Sequence, residues 1–261
     1  MSKHNNFVKF LKKINLSINS LLENYLNKLK FKNLSNITGS NKISLIFVAL
    51  IILFLSYLSI PHIYSKAEIK KELENQLMNK FSLNFKFSNN LDYKFFPRPH
   101  FIINDSSILN KNVEISKIKK LSVFISLDNL FSLKNILVNN VVIENTNFNL
   151  NKKSANFFIK LLDNNFLKST FIIKDSNVFF KNAENEVLFI NKILNMKYYY
   201  DPKELKNIMD SENEIFNVPY NLISYIDKKN KKIFSKINLN FLKLQIENEF
   251  IYKNDLKEGS A

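Results

Sequence analysis

The sequence predicts an α+β chain in which an N-terminal transmembrane helix is followed by a mainly antiparallel β-sheet with a few short covering helices. Two observations carry this. Ile43 to Ser65, ISLIFVALIILFLSYLSIPHIYS between Lys42 and Lys66, holds no charge in twenty-three residues; as a helix it reaches about 35 Å, enough to cross a hydrocarbon core of about 30 Å. Further on, apolar and polar residues alternate in Phe81-Leu83-Phe85-Phe87, Leu121-Val123-Ile125-Leu127 and Val218-Tyr220-Leu222, the period of a strand with one buried face. The chain thus divides into a basic leader (1–42), a transmembrane helix (43–65) and a β-rich part (66–261) long enough for one domain with a real core.

In the leader, Phe7, Leu11, Ile14, Ile18, Leu21 and Tyr25 share one helical face, with lysines 9, 12, 13 and 28 mostly off it. Such a stripe suits an amphipathic helix lying on an anionic membrane surface or pairing with a partner helix; a flexible basic tail is the other reading. The apolar run starts too late and is too long for a cleaved signal peptide, and no small-residue cleavage site follows it. Tyr57 and Tyr64 near its far end suit an interfacial belt. The leader carries eight lysines against one acid, Glu23, whereas Lys66 to Lys80 carries four lysines and three glutamates. The positive-inside rule therefore places the N-terminus in the cytoplasm and the β-rich part outside.

After the anchor, Ile69, Leu73, Leu77 and Phe81 recur every four residues, a short amphipathic helix. Three later segments repeat one pattern: FIINDSSILNKN from Phe101, VVIENTNFNLNK from Val141 and FIIKDSNVFFKN from Phe171. Each has an apolar triplet ending in Ile, a variable residue, an Asp or Asn, then Ser or Thr. That reads as strand, brief polar break, strand, with the Asx and hydroxyl side chains bonding to the backbone where the ladder bends. Ser154 is placed to cap a helix carrying Phe157, Phe158, Leu161 and Leu162, and Pro202 to open one carrying Leu205, Ile208 and Met209. Asp227 to Lys232, DKKNKK, reads as a hairpin tip, and the parity change between Phe241 and Leu242 as a bulge in the last strand.

Composition narrows the function. The formal charge of +15 comes with a single arginine, Arg98, amid an abundance of Lys, Asn, Ile and Phe. Arginine forks are the usual means of reading bases and phosphates, so nucleic acid is not expected as a partner. With no cysteine, disulfides, thiolate metal sites and a cysteine nucleophile are excluded, and two glycines are too few for a phosphate-cradling loop or a nucleophile elbow. His4, His62 and His100 are spread along the chain and read as surface or interfacial side chains. No cofactor and no enzymatic activity are expected.

From Lys71 to Leu162 the chain resembles the N-terminal region of the AsmA family of Gram-negative envelope proteins. The resemblance rests on LDYKFFPRPHF (Leu91 to Phe101), with Phe95, Phe96, Pro97, Arg98 and Pro99 at its centre, on IINDSSI (Ile102 to Ile108), and on LSVFISLDNLFSLKNILV (Leu121 to Val138). Leu239 to Asn248, carrying NFLKLQIEN, is similar to a later strand phrase. Glycines common in the family's early turns are replaced here, as at Ser82 and Asn90. The resemblance implies a curved, trough-like sheet in an inner-membrane-anchored periplasmic protein of outer-membrane biogenesis. Such a protein handles or transports phospholipid through an apolar trough, or influences protein targeting to the membrane. Leu121, Val123, Ile125 and Leu127 are the trough candidates, since they form one row opposite Ser122 and Ser126; an ordinary core covered by the Phe157 and Leu205 helices is the competing reading. The alternative function is a membrane-anchored scaffold with no lipid-carrying role, its open sheet edge recruiting an envelope protein or a second copy of itself.

Overall fold

The computed structural model describes residues 39–260 except 111–112, 129, 133, 135, 153, 228–231 and 254–255, and the side chains from Ile46 to Ile251 within those bounds, Asn110 excepted. The leader stripe from Phe7 to Tyr25 lies outside the described residues. The chain divides into two units at Leu55/Ser56.

The first unit enters the description as α1 (Gly39–Leu58), whose last three residues belong to the second unit. The predicted span ends early as a helix: a 3₁₀ helix, Ile60–Ile63, follows with Pro61 in its first turn, and Tyr64 is extended. The cause is proline, whose ring and missing N–H stop an α-helix. Leu58 and Pro61 are then buried in the second unit. Among the described residues no helix is long and apolar enough to cross a membrane; the side chains of 39–45 lie outside them.

The second unit opens with α2 (Lys66–Phe81), started by a capping box in which Ser65 and Glu68 exchange bonds, and closed by Ser82 at φ 53°. Its apolar stripe, Ile69, Leu73, Leu77 and Phe81, is buried as the four-residue spacing predicts. Phe81 thus belongs to the helix, and only Leu83, Phe85 and Phe87 continue as the alternating run around β1 (Asn84–Lys86).

The strands β2 (Leu91–Lys94), β3 (His100–Asn110), β4 (Val113–Ile125), β5 (Val138–Leu150), β6 (Thr170–Lys181), β7 (Val187–Asp201), β8 (Lys206–Ile215), β9 (Val218–Asp227), β10 (Lys232–Leu239), β11 (Leu244–Lys253) and β12 (Leu256–Ser260) complete one open, curved, twelve-stranded sheet. Its order follows the chain from β3 to β12, with β1 and β2 both on β3. Every pairing is antiparallel except β5 with β6, which run parallel. A parallel pair needs a crossover, and α3 (Phe157–Leu162) lies in it, burying Phe157, Leu161 and Leu162.

The three repeats fall on β3, β5 and β6, where Asp105, Asn145 and Asp175 take φ of 56°, 54° and 46°. Each strand runs on through its polar break as a left-handed kink that shifts parity, so that Ile103 and Ser106, Ile143 and Thr146, and Ile173 and Ser176 are buried together. The hydroxyls of Thr146 and Ser176 do the predicted bonding to the backbone, whereas the buried Ser106 Oγ has no partner among the described residues. Between β5 and β6 the ladder skips from Glu144/Lys174 to Asn147/Asn177; in the gap Thr146 N donates to Ser176 Oγ at 3.1 Å and Ser176 Oγ donates to the Lys174 carbonyl at 2.7 Å.

Two predicted elements are replaced. Pro202 to Leu205 form a turn, in which Asp201 Oδ1 accepts from the amides of Lys203 and Glu204 at 2.8 and 3.3 Å, and Ile208 and Met209 belong to β8 opposite Tyr199 and Tyr198. At Phe241 the chain does not bulge; Asn240–Leu242 turn it back, with Lys243 at φ 50°, so one long predicted strand is the hairpin β10–β11. The tip at 228–231 between β9 and β10 lies outside the described residues. Ser154 sits in the turn before α3, bonded to Asn151, and the residue preceding the helix is Asn156.

Candidate functional site

Cross-strand partners of an antiparallel ladder share a face, which lets the apolar side of the sheet be followed strand by strand. At its N-terminal end this side is closed. Leu121, Val123 and Ile125 on β4 are buried with Phe101, Val141, Ile143 and Phe171, in the same cluster as the α2 and α3 stripes. Phe81 meets Phe166 and Phe171 at 5.8 and 5.4 Å, and the buried Tyr198 donates to the Phe158 carbonyl at 3.1 Å. The trough candidates at 121, 123 and 125 therefore sit in a filled core. Leu127 parts from them: β4 ends at Ile125 and Leu127 is 45% exposed in the following loop.

Toward the C-terminal end the cover runs out. Met196, Ser211, Leu222, Ile237 and Ile246 form one cross-strand row over β7 to β11. Met196 and Ser211 are buried, Leu222 and Ile237 half-buried, and Ile246 is 37% exposed. The neighbouring row Ile226, Ile233 and Phe250 fades in the same way, and Leu239 with Leu244 continues it at the far end. The opposite face of the same strands is built for water: Lys236 pairs with Glu247 at 3.2 Å, Lys232 with Glu249, and Lys206 lies 4.3 Å over the Tyr225 ring, which stacks on Phe234. So β9 to β11 carry an apolar lane on one side, with Ser224, Ser235 and Asn248 as its only polar row among the described residues, and ion pairs on the other.

The Phe95–Pro99 segment is a turn at the end of the sheet where β2 meets β3. It contains a cis Phe96–Pro97 bond. Its core is polar and aromatic: the Arg98 guanidinium lies 5.2 Å over the Phe124 ring, and His100 stacks on the same ring at 4.8 Å. His100 Nδ1 donates to the Arg98 carbonyl at 2.7 Å, and the Asn140 amide, turned so that both of its ends are satisfied, accepts from Arg98 Nη2 at 3.3 Å. His100 is thus buried, contrary to the surface position predicted for it; an aromatic neighbour and a fixed carbonyl supply what solvent would have. Phe95 and Phe96 point outward.

Tyrosines fasten the entry of the chain to this end. Tyr57 Oη donates to the Leu127 carbonyl at 2.6 Å and accepts from Leu130 N at 3.1 Å; Tyr64 donates to the Leu130 carbonyl at 3.2 Å and Tyr93 to the Leu58 carbonyl at 2.7 Å. Burial pushes the Tyr93 hydroxyl up to about 12. The lane escaped the sequence reading, because its alternation looks the same as that of β4; only the pairing order tells which strands the helices reach.

No protein-family model matches the chain, and no curated protein matches it.

Proposed function

We propose that this is a membrane-anchored, AsmA-like envelope protein whose apolar lane over β9–β11 takes up phospholipid acyl chains. The observation that carries the reading is the lane: a mainly apolar sheet face, crossed by the row Ser224, Ser235 and Asn248, that passes from closed core to open surface and is backed by an ion-paired outer face. An open apolar face in contact with water is unfavourable by roughly 25 cal/mol per Å², and acyl chains relieve that cost without demanding directional bonds. The anchor is the twenty-residue helix α1, about 30 Å long, on which Ile46 to Leu55 are apolar and exposed all round. The excess of leader lysines supports a cytoplasmic N-terminus and a periplasmic sheet at the bacterial inner membrane. Eleven strands along the sheet at about 4.8 Å give roughly 50 Å, a length suited to lifting lipid from a leaflet and handing it on.

Native mass spectrometry of the detergent-extracted full chain tests this. Wild type is expected to carry phospholipid, and Ile237→Asp with Ile246→Asp to lose it while remaining folded. A lipid-free wild type refutes the reading. The second reading, a scaffold without lipid, is favoured by β12, a strand paired on one side only; it predicts a lipid-free protein that acquires a strand from a partner or a second copy.

A further inference from the structure

Five connections between elements and the entry of the chain come together at one end of the sheet. There β2 passes to β3, β4 to β5, α3 to β6, β7 to β8 and β9 to β10, as the registers Lys94/His100, Ile125/Val138, Asn140/Thr170 and Asp201/Lys206 require, and there the chain arrives through Tyr57 and Leu58. The loops hold large apolar side chains that nothing in the unit covers: Ile63, Phe96, Phe131, Leu167 and Leu205 are each more than 60% exposed. Exposed acids and lysines stand among them, Asp128 with Lys134, Asp163 with Lys168 and Glu204 with Lys203, and the β9–β10 connection, Asp227 to Lys232, brings four lysines and one acid by sequence.

We infer that this rim is a second membrane contact, inserting Phe96, Phe131, Leu167 and Leu205 into the interfacial layer of the bilayer that anchors the chain. The inference rests on the anchor proposed above, and chain continuity names the occupant: less than one helical turn separates the exposed Leu55 of the uncharged run from Leu58, which is buried in the rim. Tyr57, Tyr64 and Tyr93 add three amphipathic rings at this end, the composition of an interfacial belt; the Tyr57 and Tyr64 hydroxyls bond the entry segment to the Leu127 and Leu130 backbone, and the Tyr93 hydroxyl bonds the Leu58 carbonyl. Apolar tips insert by area, about 5–10 Å into the boundary between headgroups and chains. The rim contact fixes which end of the sheet meets the leaflet, and so from which end acyl chains enter the lane.

The absence of cysteine makes the test direct. Single cysteines at 96, 131, 205, 216 and 52 in the full chain are labelled with an environment-sensitive nitrobenzoxadiazole and placed in phosphatidylcholine/phosphatidylglycerol nanodiscs. Phe216, at the opposite end of the sheet and 78% exposed against 79% for Phe96, controls for apolar exposure alone. Lipids spin-labelled in the upper acyl region should remove emission at 96, 131 and 205 and leave 216 unchanged. Retained emission at the three rim positions overturns the inference, as does equal loss at 216. Position 52 with a mid-bilayer spin label reports on the anchor separately, so failure of either reading is distinguishable from failure of the other. Thermal melting of each labelled variant confirms that the exposed substitutions leave the sheet folded.

Discussion

At the scale of single residues, scarcity of glycine shapes this protein. Among the described residues nine other than glycine hold positive φ, five of them Asp or Asn, the side chains that tolerate it best. Leu205 and Phe216 are the exceptions with the largest apolar side chains. Phe216 and Asn217, at φ 50° and 61° between the paired Ile215 and Val218, form a two-residue hairpin loop of the type that prefers Asn-Gly. Phe216→Asn with Asn217→Gly is expected to raise stability by about 1 kcal/mol, read from urea midpoints at constant slope. A second expectation concerns Tyr93, whose folded-state value of about 12 exceeds its ordinary 10. The folded protein holds that proton more tightly, so the stabilisation is complete below pH 10 and is lost as pH rises through 12. The melting-temperature advantage of wild type over Tyr93→Phe should shrink across that window; a constant difference would show that burial does not raise the hydroxyl's value. The positive-φ residues in the repeats were legible in the sequence because Asx followed by a hydroxyl is a local signal. His100 was not, because its burial depends on Phe124, a strand away.

Elements declared themselves where the period was long and uninterrupted. The α2 stripe at 69, 73, 77 and 81 and the strand rows of β4 and β9 follow their sequence periods. The errors cluster at reversals. The 202–209 segment reads as helical from Pro202 and the spacing of Leu205, Ile208 and Met209, yet the Asx turn at Asp201 and the ladder to β7 outweigh that propensity. At 240–243 a parity change is common to a bulge and a turn, and only the partner strand separates them. The division between closed core and open lane is itself an element-scale claim with a measurable consequence. Leu77→Ala, on a fully buried position of α2, should cost about 2–5 kcal/mol, whereas Leu244→Ala at the lane should cost less than about 0.5 kcal/mol. Equal losses in chemical denaturation would mean that the lane is as tightly packed as the core.

At the scale of the whole molecule, the N-terminal part of the sheet is a conventional core and the C-terminal part is a surface, though one continuous apolar face serves both. Alternation within a strand reveals that a face exists; it does not reveal how far α2 and α3 extend over it, which follows from the crossover between β5 and β6. The sequence therefore pointed to β4 for an open apolar face that lies instead on β9–β11. Photo-crosslinking along that face tests the central claim most directly. A benzoylphenylalanine at Ile237 or Ile246 in the membrane-embedded full chain should capture phospholipid, while one at Val123 should give only an adduct within the chain. Lipid captured at 123, or none at 237 and 246, would contradict the account.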